Sequence, residues 1–153
     1  AVEEPPALPT IRVVRWPGQP LLAEYVDGAR AWEPLGFTVE ADELGAVAED
    51  ECPRRWYESG EYDCTITVGV FRDPQLLARH GTLASSDRAA RSIAIDTSVV
   101  GSYDLVLAMA HETGHIVLDT PEHTQGGVMG GSSTVLEAVD YELACRAIGV
   151  CGG

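Results

Sequence analysis

The sequence predicts a single α+β domain. Three observations predict it: short β-branched runs lie in the first hundred residues, two longer helical stretches lie in the last fifty, and 153 residues with 45% hydrophobic content suffice for one core. The order reads strand, helix, strand, strand, strand, helix, helix, with at least one β-α-β crossover and no internal repeat.

Residues 1–10, AVEEPPALPT, are proline-rich and read as an extended arm of the one domain, 1–153. IRVVRW (11–16) is the first strand, stopped by Pro17-Gly18. Residues 20–33 place Leu21, Leu22, Tyr25, Val26, Ala29 and Trp32 at helical spacing. Gly36 precedes a second strand, FTVE (37–40). From Asp42 to Glu61 the chain is acidic and irregular and reads as a long surface loop. CTITVGVF (64–71) is the clearest strand, with Ile66, Val68 and Val70 alternating against Thr65, Thr67 and Gly69. Residues 72–90 read as a connector with a short helical piece at 74–79, and RSIAIDTSVV (91–100) as a further strand. Ser102 caps a predicted helix over 103–118, with Asp104 in its first turn. After a glycine-rich stretch, TQGGVMGGSS, Thr134 opens the last helix with a Thr134-Val-Leu-Glu137 capping box. Its apolar face is Leu136, Val139, Leu143 and Ala147, and Gly149 stops it.

Charge narrows the partners. Twenty-four Asp and Glu stand against ten basic residues, a net charge of −14, and all ten are Arg. Such a surface repels nucleic acid and anionic membranes, and no apolar run is long enough to span a bilayer. It suits solubility outside the cell, or attraction to basic peptides. Lys and Asn are both absent, which points to a GC-rich, bacterial source and excludes N-glycosylation. Ala rather than Met at position 1 is the expectation for a chain that has lost a leader.

Four cysteines, Cys52, Cys64, Cys145 and Cys151, form no CxxC pair. Their even number favours two disulfides and a secreted or periplasmic location over four free thiols. Of three connectivities, Cys52–Cys64 and Cys145–Cys151 each close a short local segment and are preferred.

The chemistry lies in HETGHIVLDTPEH (111–123). On a helix, His111 and His115 lie one turn apart on one face, so their imidazoles can converge on one ion at about 2.0–2.1 Å. Glu112, rotated by about 100°, flanks that ion and can accept a proton from a metal-bound water. Two nearby residues can supply a third ligand. Asp119 falls about 80° off the ligand face of a continuous helix and could bind only if the helix broke before it. His123 is the better zinc ligand by type, and it lies beyond Pro121, which forbids further helix. His80 has no ligand pattern and reads as a surface residue, and Asp104 as a helix-start residue.

These residues resemble the metzincin metallopeptidases, whose signature is HExxHxxGxxH followed by a methionine-containing turn. His111, Glu112 and His115 match it directly. Leu118 and Pro121 stand where the family has its glycine and third histidine, but His123 follows two residues later. Met129 lies 18 residues after His111, an interval found in several branches such as the matrixins. The resemblance is strong over some 25 residues and architectural elsewhere.

The resemblance implies a metzincin-like zincin: a small mixed sheet packed on helices, an active-site helix, a Met-turn at Met129 and a C-terminal helix. It implies Zn²⁺ held by His111, His115 and His123, with Glu112 as general base. Asp119 would take the left-handed conformation that the family's glycine supplies. The strand RSIAIDTSVV would form the cleft's upper edge and bind substrate backbone. The turn around Met129, with the small residues 130–133, would wall a roomy pocket. Gly131 stands where some metzincins carry a tyrosine that stabilises the reaction intermediate.

The expected function is a monomeric zinc endopeptidase acting on peptide or protein substrates. Two alternatives stay open. One is a gluzincin-type peptidase with Glu137, 22 residues after His115, as third ligand. The other is a zinc-stabilised binding module without turnover.

Overall fold

In β1 (Thr10–Arg15) the side chains of Ile11 and Val13 are fully buried, while Arg12 between them is not. The same two-residue period recurs in β3 (Thr65–Arg72), where Ile66, Val68 and Val70 face the same way. Register explains the match: Ile11 pairs with Ile66 and Val13 with Val68 in a parallel ladder. The computed structural model describes residues 7–42, 48–98 and 101–151, and these form a five-stranded sheet packed on helices. The arm predicted at 1–10 therefore lies mostly outside the described residues.

The sheet order is β2-β1-β3-β5-β4. β2 (Thr38–Asp42), β1, β3 and β5 (Ser92–Ile95) run parallel, and β4 (Ala84–Asp87) lies antiparallel at the edge. Between β1 and β2 the chain crosses over through α1 (Ala23–Ala29) and a 3₁₀ turn, Arg30–Leu35, which gives the expected β-α-β unit. Two short helices follow, α2 (Trp56–Ser59) and α3 (Leu76–His80), then α4 (Ser102–Val117) and α5 (Ala138–Ile148).

The core is the apolar sheet face together with Tyr25, Ala29 and Trp32 from the first crossover and Leu105, Met109 and Ala110 from α4. The indole of Trp32, fully buried, donates its Nε1 hydrogen to the Ala110 carbonyl at 2.8 Å. A buried Trp needs such an acceptor, and this one fixes α4 against the crossover one residue before His111.

Three expectations are corrected. The connector predicted at 72–90 contains β4. RSIAIDTSVV does supply β5, but β5 is bonded on both sides, to β3 and to β4, so it cannot be the upper edge of a cleft; its residues 99–100 lie outside the described set. The last helix begins at Ala138, not Thr134, because Glu137 is its N-cap and the Glu137 amide donates to Asp140 Oδ2 at 2.8 Å. Leu136 therefore precedes the helix, and its buried face is Asp140, Leu143, Ala144 and Ile148, with Gly149 at the stop.

The cysteines pair as Cys52–Cys64 and Cys145–Cys151. Two disulfides suit an extracellular or otherwise oxidising environment. Among the described residues no helix is long and apolar enough to cross a membrane.

Candidate metal centre

Helix α4 carries His111 and His115 one turn apart and ends at Val117, six residues before His123. Leu118 is its C-cap, and Asp119 follows with φ at 47°, the left-handed conformation expected of it. The Asp119 amide donates to the Ile116 carbonyl and the Thr120 amide to the His115 carbonyl, each at 3.2 Å. These two bonds are the pair that closes a helix with a left-handed residue after its cap. The chain then reverses through Pro121, and His123 comes back to the helix.

The three imidazoles pack together, with His115 edge-on to the other two and His111 and His123 nearly parallel. His115 Nε2 lies 3.1 Å from His111 Nε2 and 3.1 Å from His123 Nε2. The outer nitrogens explain the orientation. His111 Nδ1 faces the Val128 carbonyl at 3.0 Å, and His115 Nδ1 faces the Thr120 carbonyl at 2.8 Å. A carbonyl only accepts, so each Nδ1 holds the hydrogen, and in the neutral ring Nε2 is left a bare acceptor. Two bare acceptors 3.1 Å apart repel each other, and a cation held between them would relieve that repulsion. Three nitrogens at 2.0–2.1 Å from a tetrahedral ion are about 3.3 Å apart, so the spacing fits a metal. Among the described residues this is the one group of three His, Cys, Asp or Glu side chains that converges this way.

The two carboxylates weighed as third ligands are elsewhere. Asp119 accepts the Tyr57 hydroxyl at 3.0 Å, and Glu137 is exposed at the start of α5. Asp104 is exposed in the first turn of α4, and His80 is exposed on α3.

His115 is 7% exposed. Burial holds its pKa below the ordinary histidine value, against the opposing pull of its bond to Thr120, and the neighbouring His111 lowers it further. The neutral ring is the form that binds metal.

Glu112, next to His111, is 8% exposed, and what it exposes opens on a cleft of about 410 Å³ shared with the three histidines. The roof of the cleft is β4, through Ala84, Ser85 and Ser86. Its inner edge is bonded to β5, from Ala84 opposite Ile95 to Asp87 opposite Ser92, and among the described residues its other edge carries no strand of the sheet. A larger hollow, about 550 Å³, lies on the sheet face away from the helices, between Trp16 and Arg91. Among the described residues it contains no converging set of metal donors.

Below the histidines, Met129 is fully buried. A Cβ on Gly114, the residue before His115, would overlap both Met129 Sδ and the Trp32 ring. The glycine of HETGH is thus required by packing. The turn that holds Met129 is fastened by Asp140, a residue that the reading of the sequence did not single out. Fully buried, Asp140 accepts from the Val128 amide with Oδ2 and from the Met129 amide with Oδ1, both at 2.9 Å. Gly127, with φ at 71°, lets the carboxylate approach where a Cβ would collide with it. Since Val128 in turn accepts His111 Nδ1, Asp140 stands one residue behind that imidazole. The Glu137-x-x-Asp140 capping box marks Asp140 as a helix-start residue, but not its reach to this turn.

The comparisons with known proteins add no family. No protein-family model matches the chain, and no curated protein matches it.

Proposed function

We propose that the chain is a zinc-dependent endopeptidase of metzincin-like design. The observation that carries this reading is the convergence of three imidazole Nε2 atoms beside the carboxylate of Glu112, in an open cleft roofed by an antiparallel edge strand. A site with three protein ligands and an open position is the catalytic pattern for zinc, whereas structural sites close with a fourth protein ligand. Zinc held there would supply Lewis acidity, polarising a carbonyl and acidifying water.

The chain's own residues then have defined tasks. His111, His115 and His123 hold the ion. Glu112 takes up the proton of the attacking water and returns it to the leaving amine nitrogen. The free edge of β4 offers amides and carbonyls to an extended peptide, which would add as a strand running antiparallel to it. This gives β4 the role that the sequence assigned to RSIAIDTSVV. Peptide or protein is therefore the substrate class.

Digestion of casein and of a quenched fluorescent peptide tests the reading, with wild type compared against Glu112→Ala. The expected outcome is cleavage by the wild type, its loss with a chelator, its return with zinc, and its loss in the variant despite retained metal. A wild type that holds zinc yet cleaves nothing overturns the peptidase reading and leaves a metal-binding module.

A further inference from the structure

Asp119 does more than tolerate its backbone conformation. This inference rests on the metal-centre reading above. At φ 47° glycine would be at ease and most side chains strained, yet the chain has an aspartate there. Its side chain is only 12% exposed, and three donors from two other segments surround it. The Tyr57 hydroxyl donates to Oδ2 at 3.0 Å, while Arg88 Nη1 lies 3.5 Å and Arg54 Nη2 3.9 Å from Oδ1. Arg88 Nη1 also donates to the Asp119 backbone carbonyl at 3.3 Å. Tyr57 and Arg54 come from the loop closed by Cys52–Cys64, and Arg88 immediately follows the edge strand β4.

The same turn does two things for the metal centre. Its amide and carbonyl at Thr120 hold the backbone and the ring of His115, and it starts the reversal that ends at His123. A turn free to relax would loosen both ligands. The geometry points to Asp119 as a positioning residue of the metal centre: its carboxylate, held by Arg88, Arg54 and Tyr57, locks the turn that orients His115 and delivers His123. The ion pair with Arg88 is the main electrostatic hold, because Arg54 is more exposed and more distant, where water screens it.

Asp119→Gly separates the carboxylate from the backbone, since glycine meets the φ requirement without strain. Zinc dissociation constants are measured by chelator competition for wild type, Asp119→Gly, Arg88→Gln and the double variant, with the visible absorption spectrum of the cobalt-substituted proteins alongside. The expected result for Asp119→Gly is about tenfold weaker zinc binding, the low end for groups behind metal ligands, and an altered cobalt spectrum. Arg88→Gln weakens binding several-fold in the wild-type background and has little effect once Asp119 is glycine. Asp119→Gly binding zinc within twofold of wild type, with an unchanged cobalt spectrum, overturns the inference and leaves only a backbone role. If that variant does not fold, Arg88→Gln decides alone, and unchanged zinc affinity there overturns it too. A wild type that binds no zinc fails the metal-centre reading itself, and this inference with it.

Discussion

His115 and Thr120 hold each other twice: the Thr120 amide donates to the His115 carbonyl at 3.2 Å, and His115 Nδ1 donates to the Thr120 carbonyl at 2.8 Å. One bond closes helix α4 and the other sets the ring, so helix termination and the orientation of the imidazole are one structure. Thr120→Pro removes the amide and disfavours the left-handed conformation of the residue before it. The expected outcome is a loss of ten- to hundredfold in zinc affinity, read by chelator competition.

Acid should destabilise the metal-free protein in two separable windows. His115 has a folded-state pKa below its unfolded value, so the unfolded chain binds more protons. Stability is then fully present above about pH 6.5 and is lost as the pH falls through that value toward the folded pKa. Asp96 behaves likewise at lower pH. The Ser98 hydroxyl first, and the Leu77 and Ser98 amides after it, hold its carboxyl below the ordinary value against the opposing effect of burial. Its contribution is present above about pH 3.9 and is lost below it. Urea unfolding against pH is expected to flatten near 6 in His115→Gln and near 3 in Asp96→Asn.

Asp140→Asn keeps the shape but puts an NH₂ group where one oxygen accepts backbone hydrogens. With three amides converging on this carboxylate, at least one would face a donor. The expected cost is about 2–4 kcal/mol in urea unfolding, together with weaker metal binding through Val128 and His111.

Gly114→Ala tests the packing beneath the site by its sign. Helix propensity alone favours alanine by about 1 kcal/mol. Overlap with Met129 and Trp32 opposes this by about 1–3 kcal/mol or more, so a lower melting temperature is expected. A higher one would show that Met129 does not pack against this helix.

Replacing Cys52 and Cys64 together by serine opens the loop that carries Arg54 and Tyr57. The disulfide closes 12 residues, and its loss is expected to cost about 2–4 kcal/mol. If that loop helps to hold Asp119, zinc affinity falls as well, measured under conditions where the variant remains folded.

Local, periodic features were legible in the sequence. The period of 3.6 put His111 and His115 on one face, the alternation in CTITVGVF showed which residues enter the core, and aspartate's tolerance of positive φ marked Asp119. What stayed hidden depends on contacts between distant segments. ASSD, the strand β4, is one alanine and three small polar residues with no β-branched side chain, and only its pairing with β5 makes it a strand. The roof of the cleft was therefore assigned to the stronger strand beside it. Asp140 binds amides 11 and 12 residues upstream, and Tyr57 reaches Asp119 across 62 residues. Neither separation leaves a pattern in one sequence. The start of α5 slipped by one helical turn because Thr134-x-x-Glu137 and Glu137-x-x-Asp140 both have the form of a cap, and only burial of Asp140 chooses between them.

The central claim is that His111, His115 and His123 form one metal centre, and zinc stoichiometry and affinity of wild type against His123→Ala test it most directly. The account predicts one equivalent of zinc in the wild type and a loss in the variant greater than the roughly hundredfold that groups behind the ligands can cause. Equal zinc affinity in His123→Ala would contradict it.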